Sequence, residues 1–139
     1  MTVPTSSASP KRTPRPSREV ARQVLEIEAA AVAGLVAQLD EKFDRAVERL
    51  RSASGRVVGS GMGKGGIGMQ RIAATLASTG TPSFFLHPAE AIHGDLGMIV
   101  EGDIVLAASY SGTTEELLRL VEILKRLGVP LIAMTGNSN

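Results

Sequence analysis

Two short stretches hold the residues best suited to chemistry. Residues 59 to 68 read GSGMGKGGIG, six glycines and one lysine in ten positions, and residues 109 to 116 read SYSGTTEE, hydroxyls followed by two carboxylates. Glycines crowded around a single cation let the backbone bend closely around an anion, which main-chain amides and the ammonium of Lys64 can then meet. In the second stretch Ser109, Ser111 and Thr114 offer hydroxyls. The helix expected to follow turns its first amides and the positive end of its dipole toward the same place. Together the two stretches describe a site for one phosphate group.

Three anions compete for the glycine stretch. A nucleoside-triphosphate loop needs G-x-x-x-x-G-K-[ST], but Val58 stands where the first glycine belongs and Gly65 where the magnesium-binding hydroxyl belongs. A dinucleotide fingerprint is formally present in Gly61, Gly63 and Gly66. The acid that should close the second strand is missing, because that strand ends Phe85-Leu86-His87 and Glu90 comes only after Pro88. A small phosphorylated sugar is the third candidate, and it alone draws on both loops. Each loop also has a plain local reading: Thr113 and Glu116 match an [ST]-x-x-[DE] capping box, and Lys64 could be a solvated loop cation. On the residues alone these alternatives stay open.

The elements that must position these loops follow from periodicity. Val20, Val24, Ile27, Ala31 and Leu35 recur at helical spacing and predict a long helix over 18–38. A second helix carries Phe43, Val47 and Leu50 on its inner face, with Asp40 as N-cap and Gly55 as terminator. With no charge on either stripe, these helices are expected to cover a sheet or a partner subunit. Strands and helices then alternate: strand 56–60, helix 67–79, strand 82–87, strand 103–110, helix 114–127 closed by Gly128, and strand 129–136. Near-continuous apolar strands separated by helices predict an α/β fold with a doubly wound parallel sheet. In such a sheet the ligand lies outside the carboxyl ends of the strands at the switch point, where the two loops would meet.

The totals narrow the class. A chain of 139 residues, 43% hydrophobic but only 3% aromatic, has material for one mostly aliphatic core. A net charge of +1 provides no field for a nucleic acid partner. Cysteine is absent, which excludes disulfides and thiolate metal sites. The longest uncharged apolar run, residues 29–39, is short of the roughly 20 residues that a membrane span needs. Residues 1–17, with four prolines and no acid, read as a disordered tail. The expected organisation is therefore a tail at 1–17, N-terminal helices at 18–54 and a phosphate-binding α/β domain at 55–139, in a protein whose default location is the cytoplasm. Since the chain stops at GNSN directly after its fourth strand, it is expected to be the front part of a longer protein or a truncated one.

SGMGKGGIG, IAATLASTGTPSFFLHPAEAIHGDLGM, SYSGTTEE and RLGVPLIAMTGN together resemble the sugar isomerase (SIS) domain of arabinose-5-phosphate isomerases, in register over about residues 18–139. The resemblance implies a flavodoxin-like parallel sheet of strand order 2-1-3-4-5, here lacking its fifth strand. It also implies reversible conversion of ribulose 5-phosphate to arabinose 5-phosphate, a step toward lipopolysaccharide, in a homo-oligomer with no cofactor and no metal. It assigns the substrate phosphate to Gly63, Ser109, Ser111 and Thr114, catalysis to Lys64, Glu116 and His93, and the rest of the substrate site to Gly61 and His87. In that chemistry one carboxylate moves a proton between adjacent carbons through an enediol. Lys64 steadies the developing negative charge.

Departures from the family pattern accompany the matches. Lys64-Gly65-Gly66 stands where the family usually has Lys-Ser-Gly, which removes one hydroxyl, and Gly68 and Met69 interchange the usual small and apolar residues. The family's fifth strand, a further catalytic glutamate and histidine and its CBS regulatory modules are absent from these 139 residues. Two other readings therefore stand beside the enzyme: a non-catalytic sugar-phosphate sensor, and a fragment that needs an intact subunit. His93 also has two readings, as a satisfied polar residue at a helix end or, with His87 and Asp95, as part of an incidental metal site.

Overall fold

A computed structural model describes residues 15–137. They fall into two units that divide between Asp40 and Glu41. In the first, helix α1 (Ser17–Gly34) follows Pro16 and passes into a 3-10 turn at Leu35–Gln38. Its alanine-rich sequence sustains a helix by propensity, and none of its residues is buried. Of the tail expected at 1–17, residues 1–14 lie outside the described ones, and Ser17 is already helical. No helix among the described residues is long and apolar enough to cross a membrane.

The second unit begins with α2 (Glu41–Arg51) and continues as β1 (Val57–Gly61), α3 (Gly63–Ser78), β2 (Ser83–Phe85), α4 (Pro88–His93), β3 (Ile104–Ser109), α5 (Glu115–Arg126) and β4 (Leu131–Thr135). The four strands form one parallel sheet in the order β2-β1-β3-β4, the order that the family resemblance implies for the first four strands. β1 and β3 lie side by side, with Val58 opposite Val105 and Gly61 opposite Ala108. The chain leaves β1 toward one edge and β3 toward the other, so their carboxyl ends form the switch point.

Alternate residues of β1 and β3 feed two cores, one on each face of the sheet. On one face Val58, Val105 and Ala107 pack with Ala91 of α4 and with Leu117, Leu120 and Leu124 of α5. On the other, Val57, Ile104 and Leu106 pack with Met69 of α3, and Leu50 of α2 joins them at the margin. Because both faces are covered, the strands read as apolar runs rather than as alternation. Of the inner face expected for α2, only Leu50, in the last turn, reaches the core; Phe43 and Val47 are exposed and do not cover the sheet. That contact explains why α2 groups with the sheet and not with α1.

A second correction concerns α3, which starts at Gly63 and not at residue 67. Glycine is a poor helix former, but here close packing overrides propensity. A Cβ on Gly66 would lie 2.6 Å from the Gly61 carbonyl oxygen, and one on Gly65 would lie 3.2 Å from the Ala108 carbonyl oxygen. Only residues without side chains allow the first turn of α3 to sit against the ends of β1 and β3. Gly63 itself, at φ +52°, makes the left-handed entry.

The opposite end of the sheet is tied by a buried acid. Asp103 is 1% exposed, and its Oδ1 accepts from the Arg56 amide at 2.8 Å and from Arg56 Nε at 3.2 Å. Its Oδ2 accepts from Arg56 Nη2 at 2.7 Å and from the Val100 amide at 3.0 Å. Burial pushes the Asp103 carboxyl up, but the hydrogen bonds from Arg56 and Val100 and the guanidinium charge outweigh it and hold the group below its ordinary value. The same guanidinium lies 4.9 Å from the centre of the Phe84 ring, so one side chain links the starts of β1, β2 and β3.

Candidate functional site

At the carboxyl ends of β1 and β3 the two loops face one cavity of about 640 Å³. Lys64 and Gly65, from the first turn of α3, line one side. Ser109, Ser111 and Thr114 line the other, and Met134, Thr135 and Gly136 at the end of β4 complete the wall. The structure thus brings together four of the residues singled out in the sequence: Lys64, Ser109, Ser111 and Thr114.

The hydrogen bonds within the second loop show what this site can receive. Ser109 Oγ accepts from the Gly112 amide at 3.1 Å and shares a proton with Thr114 Oγ1 at 3.3 Å. Ser111 Oγ accepts from the Thr113 amide at 3.2 Å and from Thr113 Oγ1 at 3.0 Å. The loop's own donors therefore occupy the hydroxyl lone pairs, leaving the Ser111 proton and one proton of the Ser109–Thr114 pair to be donated outward. Helix starts add more donors, since the first amides of α3 and of α5 have no acceptor within their helices. The first intrahelical bonds run from Gly66 to Met62 and from Leu118 to Thr114. With the Lys64 ammonium, these hydroxyl protons and helix-start amides give the cavity several donors from both loops, which suits an anion.

The capping box read in Thr113 and Glu116 does not form. α5 starts one residue later, with Thr114 at its N-cap and no side-chain capping bond, while the Thr113 hydroxyl turns back to Ser111. The threonine that would cap the helix instead orders the loop.

The remaining site residues are placed elsewhere. Gly61 ends β1 and Gly63 opens α3, so both shape the turn without lining the cavity. Glu116 is half-buried in the first turn of α5 and does not line it either. His87 faces a separate cavity of about 500 Å³ with Gln70, Glu90 and Asp95. It is the N-cap of α4, where Nδ1 accepts from the Ala89 amide at 3.3 Å, and its ring meets Phe85 edge-on. His93 is exposed at the end of α4, with Nδ1 2.8 Å from the Ala89 carbonyl. A carbonyl only accepts, so Nδ1 carries the proton and Nε2 is left open. His87, His93 and Asp95 are not grouped to hold a metal, and no such group exists among the described residues. Sequence reasoning missed Tyr110, Thr135 and Gly136; an end-of-strand rule applied to β4 as well as to β1 and β3 would have found the last two.

A parallel sheet whose switch point carries donors from two loops and two helix starts is an α/β domain with a site suited to an anion. The model of the SIS domain family matches residues 49–139, and the chain belongs to that family. It is 55% identical over 117 residues to the arabinose 5-phosphate isomerase KdsD of Pseudomonas aeruginosa, covering 84% of this chain and 36% of that protein. It therefore spans about a third of the length of the curated relatives it matches. Among solved structures, an Escherichia coli CFT073 protein in complex with arabinose 5-phosphate has a TM-score of 0.80 at 42% identity, covering 84% of this chain and 62% of that one. A Bacteroides fragilis protein associated with capsule formation has a TM-score of 0.84 at 39% identity, covering 89% of this chain and 67% of the other.

Proposed function

We propose that this chain is the sugar-phosphate-holding domain of an aldose–ketose isomerase that interconverts ribulose 5-phosphate and arabinose 5-phosphate. The observation that carries the reading is the donor-lined cavity, in which Ser109, Ser111, Thr114 and Lys64 face one another across the switch point. Similarity to isomerases named for arabinose 5-phosphate, and to a structure in complex with that sugar phosphate, supports the choice of sugar.

In this reading hydroxyls and helix amides hold the phosphate while the carbonyl end of the sugar extends from it. A base removes a proton from the carbon beside the ketose carbonyl, giving an enediolate; the hydroxyl proton on that carbon passes to the former carbonyl oxygen, and the conjugate acid returns a proton to the former carbonyl carbon, leaving the aldehyde. Lys64 faces the cavity from the side opposite the hydroxyl loop and offsets the enediolate charge. Glu116 as that base, Gly63 as a phosphate contact, and His93, His87 and Gly61 at the sugar are roles that rest on the family resemblance. The chemistry is proton transfer, which needs no metal. The exposed apolar stripe of α1 and the turn after it, Val20, Val24, Ile27 and Leu35, supports assembly into a homo-oligomer. A cytoplasmic place in lipopolysaccharide synthesis accompanies the same substrate assignment.

Incubation of the purified chain with ribulose 5-phosphate, with arabinose 5-phosphate measured over time, tests the proposal. Formation of the aldose is the expected result. Saturable binding without turnover would move the assignment to a sensor, and neither binding nor turnover would remove it.

A further inference from the structure

One side chain at the mouth of the cavity has no part in the scheme above. Tyr110 lies between the phosphate-loop serines, lines the cavity, and yet is 91% exposed. Its position is fixed from below. The Tyr110 carbonyl accepts from the Gly136 amide at 3.1 Å, and the ring rests against Gly136 so closely that a Cβ there would fall 2.9 Å from ring carbons Cδ2 and Cε2. A large ring is thus supported on a glycine backbone while most of its surface faces open space.

A phosphorylated sugar held by its phosphate among Ser109, Ser111 and Thr114 must send its carbon chain out past this ring. The chain of a sugar carries hydroxyls and C–H bonds, and the C–H hydrogens, weakly positive, pack on the electron-rich face of an aromatic ring. Met62, Met134 and Gly136 also line the cavity and offer apolar surface but no ring. We propose that Tyr110 is a specificity-determining residue that stacks on the carbon chain of the bound sugar phosphate, so that the site distinguishes a sugar phosphate from free phosphate. The inference rests on the phosphate-site reading.

The sequence offers a direct probe: there is one tyrosine and no tryptophan, so tyrosine emission comes from Tyr110 alone. The whole chain is titrated with arabinose 5-phosphate and with inorganic phosphate while emission is followed, and calorimetry measures the same affinities for the parent, Tyr110→Ala and Tyr110→Phe. Arabinose 5-phosphate is expected to change emission saturably. Tyr110→Ala should weaken its binding about tenfold and leave inorganic phosphate within about twofold, while Tyr110→Phe, which keeps the ring, should stay near the parent. Binding that leaves emission unchanged and is unaffected by Tyr110→Ala overturns the inference and spares the phosphate site. An equal loss for both ligands also overturns it, by placing the ring on the phosphate and not on the sugar. Failure of the parent to bind either ligand overturns the phosphate-site reading and this inference together.

Discussion

Two glycines two residues apart in α3 should respond to the same substitution with opposite signs. Gly68 has nothing within 4 Å of where a Cβ would stand, so Gly68→Ala brings only the helix-propensity gain, about 0.5–1 kcal/mol of added stability. Gly66→Ala brings the same gain, but its Cβ would sit 2.6 Å from the Gly61 carbonyl oxygen and 3.1 Å from the carbonyl carbon. Neither atom can turn aside, because both belong to the backbone of β1, and on the far side the Phe85 ring waits at 3.5 Å. Relieving such a contact means lifting the start of α3 off the sheet, at a strain of about 1–3 kcal/mol. The net result for Gly66→Ala is a loss of up to about 2 kcal/mol, and because both variants share the propensity gain they differ by the strain itself, about 1–3 kcal/mol. Urea unfolding followed by circular dichroism measures both. The same displacement carries Lys64 and Gly65 away from Ser111, so Gly66→Ala should also weaken phosphate binding while Gly68→Ala should not. Equal stability of the two variants would refute the close approach of α3 to β1 on which the cavity depends.

Other expectations follow from the same contacts. Asp103→Ala leaves the Arg56 and Val100 amides without their acceptor and should cost on the order of 2–3 kcal/mol in urea unfolding at neutral pH. Because the folded Asp103 carboxyl is held below its ordinary value, its stabilisation is whole above about pH 4 and is lost as pH falls through the lower folded value. Unfolding curves of the parent should therefore converge on those of Asp103→Ala under acid, and a gap that widened would contradict the sign. Replacing Ser111 and Thr114 together by alanine removes outward-facing hydroxyls and should abolish the rise in melting temperature caused by a sugar phosphate, whereas an unchanged rise would remove them from the site. Lys64→Gln keeps a donor of similar reach but no charge, and should lower phosphate affinity about tenfold with no change in stability, by calorimetry and thermal melting.

The sheet was legible because its strands are unusually plain: VVGSG and IVLAAS are buried on both faces and read as unbroken apolar runs. The serine loop was legible for a related reason, as three hydroxyls ahead of a strongly amphipathic helix have few structural uses. What escaped was set by contacts distant in sequence. The start of α3 was hidden because glycine-rich sequence argues for a loop, and only the nearness of Gly61 and Ala108 shows why a helix begins there. Met69, read as a departure, is 1% exposed and fills the core beneath β1. The Arg56–Asp103 pair joins residues 47 positions apart and leaves no local pattern. Thr113 and Glu116 matched a capping box by spacing, but spacing does not reveal that Ser111 competes for the threonine hydroxyl.

The central claim concerns where an anion is held, and backbone amide resonances of this 14.5 kDa chain answer it residue by residue. On titration with arabinose 5-phosphate, the largest saturable shifts are expected at the amides of Lys64, Gly65 and residues 111–117. Shifts confined to the surfaces of α1 and α2, or to the cavity beside His87, with those amides unmoved, would contradict it.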